Sequence, residues 1–123
     1  MTRPVLIIDD DDLKGNMTVR FVRVVSDRES FRVKYLKQAI FMLKGKPLAV
    51  ITNWKFPFEH GDPSRKHGHV ITALCHDMNI PCLVNSVHSP PENLPPGTIW
   101  PEAAGDFNEV LKKFLNDLPR APT

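Results

Sequence analysis

Four consecutive carboxylates, Asp9 to Asp12, directly follow the apolar run VLII at residues 5–8. A short apolar run bounded by polar residues is typical of a buried strand. Because burying unpaired carboxylates is costly, these acids are expected at the edge of a sheet. Ligands of open α/β sheets bind beyond the carboxyl ends of the strands, so the cluster marks a candidate site. Two interpretations stay open, a cation site or a helix cap with solvated acids.

A second group of chemically active residues lies in the middle of the chain. His60, His67 and His69 lie in or beside a long polar loop, and Cys75 and His76 follow shortly after. The paired-cysteine spacing typical of zinc sites is missing. A plain polar loop is therefore the favoured interpretation, and a zinc site is the minor alternative.

The elements that must position these side chains alternate between strand and helix. The apolar patterns predict strands at residues 5–9, 30–35, 48–52, 81–86 and 98–100, and helices at 12–26, 37–44, 69–78 and 106–118. This alternation is typical of βαβ units with a parallel sheet and right-handed crossovers. The first helix has an alternative, because Gly15 and several valines are poor helix formers and the segment could form a strand.

Two connections depart from a regular alternation. Residues 58–68 form a long polar loop, and residues 88–97 read HSPPENLPPG, with four prolines. Because proline removes a backbone donor and restricts the residue before it, no full helix is predicted in the second segment.

Composition limits the class of protein. At 123 residues, with 41% hydrophobic and 24% charged residues, the chain is predicted to be one globular domain spanning residues 1–123. The net charge of +2 favours neither a nucleic-acid nor a membrane partner. Nine of the 16 basic residues lie between Lys14 and Lys46, which indicates a solvated helix face or a basic docking surface.

The compartment follows from what the sequence lacks. No apolar run approaches the roughly 18 residues of a membrane span, and no signal-peptide pattern precedes Asp9. A cytoplasmic location is therefore expected. Cys75 and Cys82 are too few for a disulfide framework and are expected to be buried free thiols.

Several segments together resemble the receiver domain of two-component response regulators. They are VLIIDDD (5–11), LAVITNWKFP (48–57), Gly68 opening a helix, IPCLVNS (80–86), and Pro101 followed by a terminal amphipathic helix. The resemblance covers nearly the whole chain. It implies a flavodoxin-like, doubly wound sheet of five parallel strands in the order 2-1-3-4-5. Helices would cover both faces, with the fourth helix short or missing.

The resemblance also implies a site. In this family Asp9 and Asp10 would hold Mg²⁺, and the phosphorylated aspartate would end the third strand, where this chain has Asn53. Ser86 matches the hydroxyl residue that contacts the phosphoryl group. The lysine that precedes the proline after the fifth strand is replaced by Trp100. Two of the key groups of the phosphorylation pocket are therefore changed.

These replacements remove the family chemistry. Phosphoryl transfer to a carboxylate needs an anionic oxygen nucleophile, a divalent metal and a cation that neutralises developing charge. The amide of Asn53 is a poor nucleophile, and the indole of Trp100 carries no charge. A hard cation also loses one carboxylate ligand, so Asp9 and Asp10 are expected to form at most a weak Mg²⁺ site.

We therefore expect a stand-alone, cytoplasmic pseudo-receiver that is not an enzyme and requires no cofactor. It would act in phosphorelay signalling through protein contacts, with a sensor kinase, a downstream regulator or a second copy as partner. Trp100, Pro95 and Pro96 are the candidate partner-binding residues. Trp100 could alternatively fill the core, and this role is slightly favoured. Buried and interface indoles both need a partner for their N–H.

One enzymatic alternative remains. Asp9 and Asp11 have the D-x-D spacing of haloacid-dehalogenase-like phosphatases and phosphotransferases, which use Mg²⁺, and Ser86 could provide their second motif. A catalytic lysine after Ser86 is missing, and no later acidic pair ends a strand. This alternative is therefore disfavoured.

Overall fold

A computed structural model describes residues 3–86, 89–101 and 107–119 as a parallel sheet with helices on both faces. The strands are β1 (Val5–Ile8), β2 (Ser30–Val33), β3 (Ala49–Thr52) and β4 (Cys82–Val84), in the order β2-β1-β3-β4. The helices are α1 (Asp12–Ser26), α2 (Leu36–Leu43), α3 (Gly68–Met78) and α4 (Phe107–Asn116). The predicted α/β class and the predicted helices are confirmed within a few residues, although residue 106 lies outside the described residues.

The strand register aligns the carboxyl ends of the sheet. Ile8 lies opposite Val33 on one side and Thr52 on the other, and Thr52 lies opposite Val84. The residues that follow these strands therefore emerge at one edge, which we call the carboxyl edge.

The core consists of one apolar cluster on each face of the sheet. Because strand side chains alternate between faces, β1 contributes Leu6 and Ile8 to one cluster and Val5 and Ile7 to the other. The first cluster packs against α2 and α3, and the second packs against α1 and α4. The predicted stripe on α4 is confirmed, with all six members buried or half-buried: Phe107, Val110, Leu111, Phe114, Leu115 and Leu118.

Helix α1 begins where its sequence provides a cap. The Asp11 carboxylate accepts a hydrogen bond from the Lys14 backbone N–H at 3.0 Å. Residues Asp12–Ser26 are helical, so the predicted helix is confirmed and the strand alternative is wrong. Gly15, the poor helix former, lies against β2, and a Cβ at this position would collide with the Arg32 side chain.

Helix α1 buries a narrower stripe than its apolar spacing indicates. Gly15, Thr18 and Val22 are its buried residues. Leu13, Met17 and Val24 are large apolar residues at helical spacing, yet they are exposed. Val19, Phe21 and Val25 are half-buried and pack against the second cluster beside this stripe.

The predicted fifth strand is reduced to one bridge, so the expectation of five strands is corrected to four among the described residues. Ile99 pairs with Leu83 through two backbone hydrogen bonds: Val84 N–H donates to Ile99 at 2.8 Å and Ile99 N–H donates to Cys82 at 3.0 Å. Pro101 follows Trp100, and proline has no N–H for a ladder. This segment therefore cannot continue as a regular strand.

The connection before this bridge contains no helix within residues 89–98, as its prolines predict. Residues 87–88 lie outside the described residues. Among the described segments the longest helix has 15 residues, fewer than the roughly 20 needed to cross a bilayer, and no helix combines the length and apolar character of a membrane span.

Candidate functional site

The carboxyl edge brings the acidic cluster beside Asn53. The Asn53 N–H donates to the carbonyl of Ile8 at 2.8 Å, so Asn53 leaves β3 next to the point where Asp9 leaves β1. The Asn85 N–H donates to the carbonyl of Thr52 at 2.8 Å in the same way. Asp9, Asn53 and Asn85, which follow the adjacent strands β1, β3 and β4, therefore lie side by side at the carboxyl edge.

Asp9 is a buried carboxylate with partners on both oxygens. Only 2% of the residue is exposed. Its Oδ1 accepts a hydrogen bond from the Asp11 N–H at 3.0 Å, and its Oδ2 lies 3.6 Å from the ammonium of Lys14. Burial raises the pKa of Asp9, and the Asp11 N–H and the Lys14 charge offset part of that increase.

Lys14 is a site residue that the sequence interpretation missed. Its ammonium contacts Asp9 and also donates to the carbonyl oxygen of Asn85 at 3.3 Å, so it bridges the ends of β1 and β4. One signal could have drawn attention to it. A lysine in the first turn of a helix opposes the helix dipole, and its presence there indicates a compensating acidic partner.

Asp10 forms an ion pair with Arg65, which lies in the loop before α3. The side chain of Asp10 is 13% exposed, and its second oxygen, Oδ1, is buried with no hydrogen-bond partner in the described part of the chain. No sequence signal connects Arg65 to this acid, because 54 residues separate the two. These residues include α1, β2, α2 and β3.

The Asn53 amide is engaged by the turn that it begins. Its Oδ1 accepts a hydrogen bond from the Trp54 N–H at 2.8 Å, and its Nδ2 donates to the carbonyl of Lys55 at 3.2 Å. The amide thus stabilises the local loop and keeps its oxygen occupied.

Trp100 is buried against a second tryptophan. It is 9% exposed, and its ring meets that of Trp54 edge to face with a centroid distance of 5.0 Å. Such pairs stabilise beyond the area that they bury. Gly68 completes this corner: its N–H donates to the carbonyl of Trp54 at 2.9 Å, and a Cβ at position 68 would approach that oxygen to 2.5 Å.

The other candidate residues lie in different places. Ser86 follows β4 by two residues and is half-buried. Pro96 lines a cleft of about 520 Å³ with Arg3, Leu48 and Pro81, which precede β1, β3 and β4. Pro96 is therefore at the opposite edge of the sheet from Asp9, and Pro95 adjoins it. The predicted partner-binding group of Trp100, Pro95 and Pro96 is thus divided between two edges.

The enzymatic and zinc alternatives receive no support from the described geometry. Asp11 caps α1 and is exposed, whereas Asp9 is buried and already bonded, so the pair does not form an open D-x-D site.

The histidines of the zinc alternative have other partners. His60 lies 3.2 Å from the hydroxyl of Tyr35, and His67 lies 3.5 Å from Asp62. Among the described residues no three or more His, Cys, Asp or Glu side chains are grouped to hold a metal ion.

Comparison with known proteins places this geometry in a fold family. No family profile and no curated protein sequence matches the chain. Solved structures do match it. The receiver domain of the PhyR response regulator from Erythrobacter litoralis is similar, with a TM-score of 0.66, 13% identity, and coverage of 99% of this chain and 96% of that chain. The chain has the receiver fold.

Two further structures show the same likeness. A response-regulator receiver protein from Sinorhizobium medicae has a TM-score of 0.62 and 20% identity, covering 94% of this chain and 96% of its own. A CheY-like receiver domain from Methanospirillum hungatei has a TM-score of 0.64 and 13% identity, with 95% and 96% covered. Identities this low establish the receiver fold of the chain and leave its activity to be argued from the residues.

Magnesium is the ion that the receiver fold implies, and the donor atoms at the carboxyl edge do not fit it. A hard divalent cation needs several free oxygen ligands. Asp9, Asp10 and Asn53 each have an oxygen already bonded to Lys14, Arg65 and the Trp54 N–H, respectively. We therefore assign no step to this ion.

Proposed function

We propose that this chain is a receiver-like signalling protein that acts by protein contacts and is not switched by phosphorylation of its own side chains. The observation that carries the proposal is the state of Asn53. It stands at the end of β3 beside the acidic cluster, where the resemblance places the phosphorylated aspartate. Its amide is bonded to the N–H of Trp54 and the carbonyl of Lys55.

The chemistry of that position supports the proposal. An amide oxygen is a poor nucleophile and forms no stable acyl phosphate, whereas phosphoryl transfer needs an anionic acceptor and compensating cations. Trp100 replaces the expected lysine and is packed against Trp54. The chain therefore lacks the charged group that would follow a phosphoryl group in the family mechanism.

A fixed conformation follows from the same replacements. Moving a two-state balance from 1:99 to 99:1 requires about 5.5 kcal/mol of differential binding. In switching receivers that energy comes from the phosphorylated aspartate and the lysine that pairs with it. This chain has Asn53 and Trp100 at the corresponding positions. It would therefore present one surface to its partner at all times.

The segment around Ile99 is the proposed partner surface. Ile99 is 38% exposed although it pairs with Leu83, and Pro96 is exposed nearby in the chain. Trp100 is buried against Trp54 at the carboxyl edge, so it would contribute to this surface only through packing. The partner is a sensor kinase, a downstream regulator or a second copy of the chain.

The first test uses the intact protein. It is incubated with acetyl phosphate and MgCl₂ and weighed by mass spectrometry, and no phosphate adduct is expected. A stoichiometric adduct on a side chain of the carboxyl edge would contradict the proposal. A chemotaxis-type receiver domain with its aspartate intact serves as the positive control for the reagent.

A second test addresses enzymatic activity. The protein is assayed with p-nitrophenyl phosphate and MgCl₂, and no turnover above buffer is expected because Asp9 is buried and bonded on both oxygens. Turnover that Asp9→Asn abolishes would favour the phosphatase alternative instead.

A further inference from the structure

Two cations of the chain itself contact the two acids that follow β1. The Lys14 ammonium lies 3.6 Å from Asp9 Oδ2, and the Arg65 guanidinium is paired with Asp10 Oδ2. Each acid thus has one positively charged partner. The acidic side chains are nearly buried, at 3% and 13% exposed, so these pairs are screened less than surface pairs.

The second contact of Lys14 gives it a ligand set like that of a bound cation. Its ammonium lies between the carboxylate of Asp9 and the carbonyl oxygen of Asn85, which is 3.3 Å away. A carboxylate with a backbone carbonyl is a combination that also binds hard cations. Lys14 therefore places a fixed positive charge between the ends of β1 and β4.

Three further oxygens at the carboxyl edge accept hydrogen bonds from the protein itself. Asp9 Oδ1 accepts from the Asp11 N–H, Asn53 Oδ1 accepts from the Trp54 N–H, and the Lys55 carbonyl accepts from the Asn53 amide. Asp10 Oδ1 is the buried side-chain oxygen at this edge that has no hydrogen-bond partner in the described chain. Mg²⁺ keeps several waters but is held by one or two carboxylates, and here each of the two carboxylates already faces a cation of the chain.

We propose that Lys14 and Arg65 are built-in counter-charges of the acidic pair, taking the electrostatic place of a divalent cation. The pocket then binds no Mg²⁺, and Lys14 acts as a positioning residue that holds the ends of β1 and β4 together. The inference deepens the proposed function and rests on it, because a pocket balanced by its own side chains has no ion to gain or lose as a signal.

The test compares melting temperatures in EDTA and in millimolar MgCl₂, with NaCl matched for ionic strength. The Tm of the wild-type protein is expected to stay within about 1 °C. Lys14→Met and Arg65→Gln are each expected to lower the Tm in EDTA, and MgCl₂ is expected to raise it again by about 4 °C. Arg65 lies in an exposed loop, so its variant tests the proposal even where Lys14→Met folds poorly.

Two controls make the result specific. Lys112→Met removes one exposed lysine from α4 and is expected to leave the Tm insensitive to MgCl₂. Lys14→Met leaves the Asp9 carboxylate without its cation, and adding Asp9→Asn removes that carboxylate. The rise in Tm with MgCl₂ is expected to disappear in this double variant.

The proposal is overturned if MgCl₂ raises the wild-type Tm as much as that of the variants, or if neither variant gains a response to MgCl₂. Its failure is distinguishable from that of the proposed function. A phosphate adduct on the wild-type protein contradicts the proposed function, whereas stabilisation by MgCl₂ without an adduct contradicts only the counter-charge assignment.

Discussion

Arg32 connects the edge strand β2 to the beginning of α1. Its guanidinium donates to the carbonyl oxygen of Asp9 at 3.0 Å and to the carboxylate of Asp12 at 2.8 Å. Gly15 leaves the space in which this side chain crosses the helix. One arginine thus fixes the direction in which the acidic cluster leaves the strand, and its charge is used inside the molecule.

Asp12 provides a pH-dependent contribution to stability. Hydrogen bonds from Lys34 and Arg32, in that order of importance, lower its pKa below the usual 3.8. A lowered pKa in the folded state stabilises the fold above the unfolded pKa, and this contribution is lost as the pH falls through the folded pKa. We expect Asp12→Asn to lower the free energy of unfolding at pH 7 and to have no effect at low pH.

Urea denaturation at several pH values and salt concentrations checks this expectation. The carboxylate is exposed, so the effect is small and salt weakens it. An effect of equal size at pH 7 and below the pKa of Asp12 would show that the ion pairs are not its cause.

Gly68 is the position where the backbone of α3 approaches Trp54 most closely. A Cβ here would lie 2.6 Å from the Trp54 ring and 2.5 Å from its carbonyl oxygen. We expect Gly68→Ala to lower the free energy of unfolding by about 1–3 kcal/mol through overpacking and to change the tryptophan fluorescence. Gly45→Ala is the matched control, because its nearest contact is an ordinary 3.5 Å. Equal losses in both variants would contradict the packing argument.

At the scale of elements, α1 presents valines to two different environments. Val22 is fully buried in the cluster below the helix, whereas Val24 is 84% exposed. We expect Val22→Ala to lower the free energy of unfolding by about 2 kcal/mol, because it leaves a cavity. Val24→Ala is the matched control and should change stability by less than about 0.5 kcal/mol. Denaturant titration measures the free energy of unfolding of both variants. A larger loss for Val24→Ala than for Val22→Ala would mean that the helix is rotated.

The contact between α3 and β4 encloses both cysteines of the chain. Cys75 and Cys82 are buried free thiols, as expected. The hydrogen bond with Cys75, together with burial, raises the pKa of the Cys82 thiol well above its usual value. Because both thiols are buried, an aromatic disulfide reagent should label neither of them rapidly in the folded protein. Both should react in guanidinium, and rapid labelling of the native protein would indicate that this contact opens.

At the scale of the whole molecule, the candidate pocket is assembled from many elements. Lys14 comes from α1, Arg65 from the loop before α3, and Asn53 and Asn85 from the ends of β3 and β4. Under the proposed function, phosphorylation of this pocket therefore requires changes in several elements. We expect Asn53→Asp with Trp100→Lys to take phosphate from acetyl phosphate and MgCl₂ once Lys14→Met and Arg65→Gln are also present.

Intact mass spectrometry measures this gain. The matched control carries the other substitutions unchanged but has Asn85→Asp and keeps Asn53. It therefore has the new carboxylate after β4 instead of after β3. Phosphorylation of both, or of neither, would contradict the equivalence of position 53 with the phosphorylated position of receiver domains.

Local patterns accounted for most of the fold and for only part of the site. The alternation of apolar runs predicted the parallel sheet and the helices, since each pattern depends on neighbours within a few residues. The meeting of Asp9 and Asn53 was predicted by the resemblance to receiver domains and not by a local pattern. The fifth strand was overestimated, since three residues before a proline cannot sustain a ladder. Pro96 was grouped with Trp100, although the two lie at opposite edges.

The sequence by itself determined the α/β class and the acidic end of β1, and the resemblance predicted that Asn53 stands where receiver domains have the phosphorylated acid. Only the tertiary structure decided which charges meet. Lys14 and Arg65 reach Asp9 and Asp10 from different elements, and Arg32 reaches Asp12 from the edge strand. Ion pairs depend on distances of a few ångströms between residues that can be far apart in the chain, and periodicity carries no information about such distances.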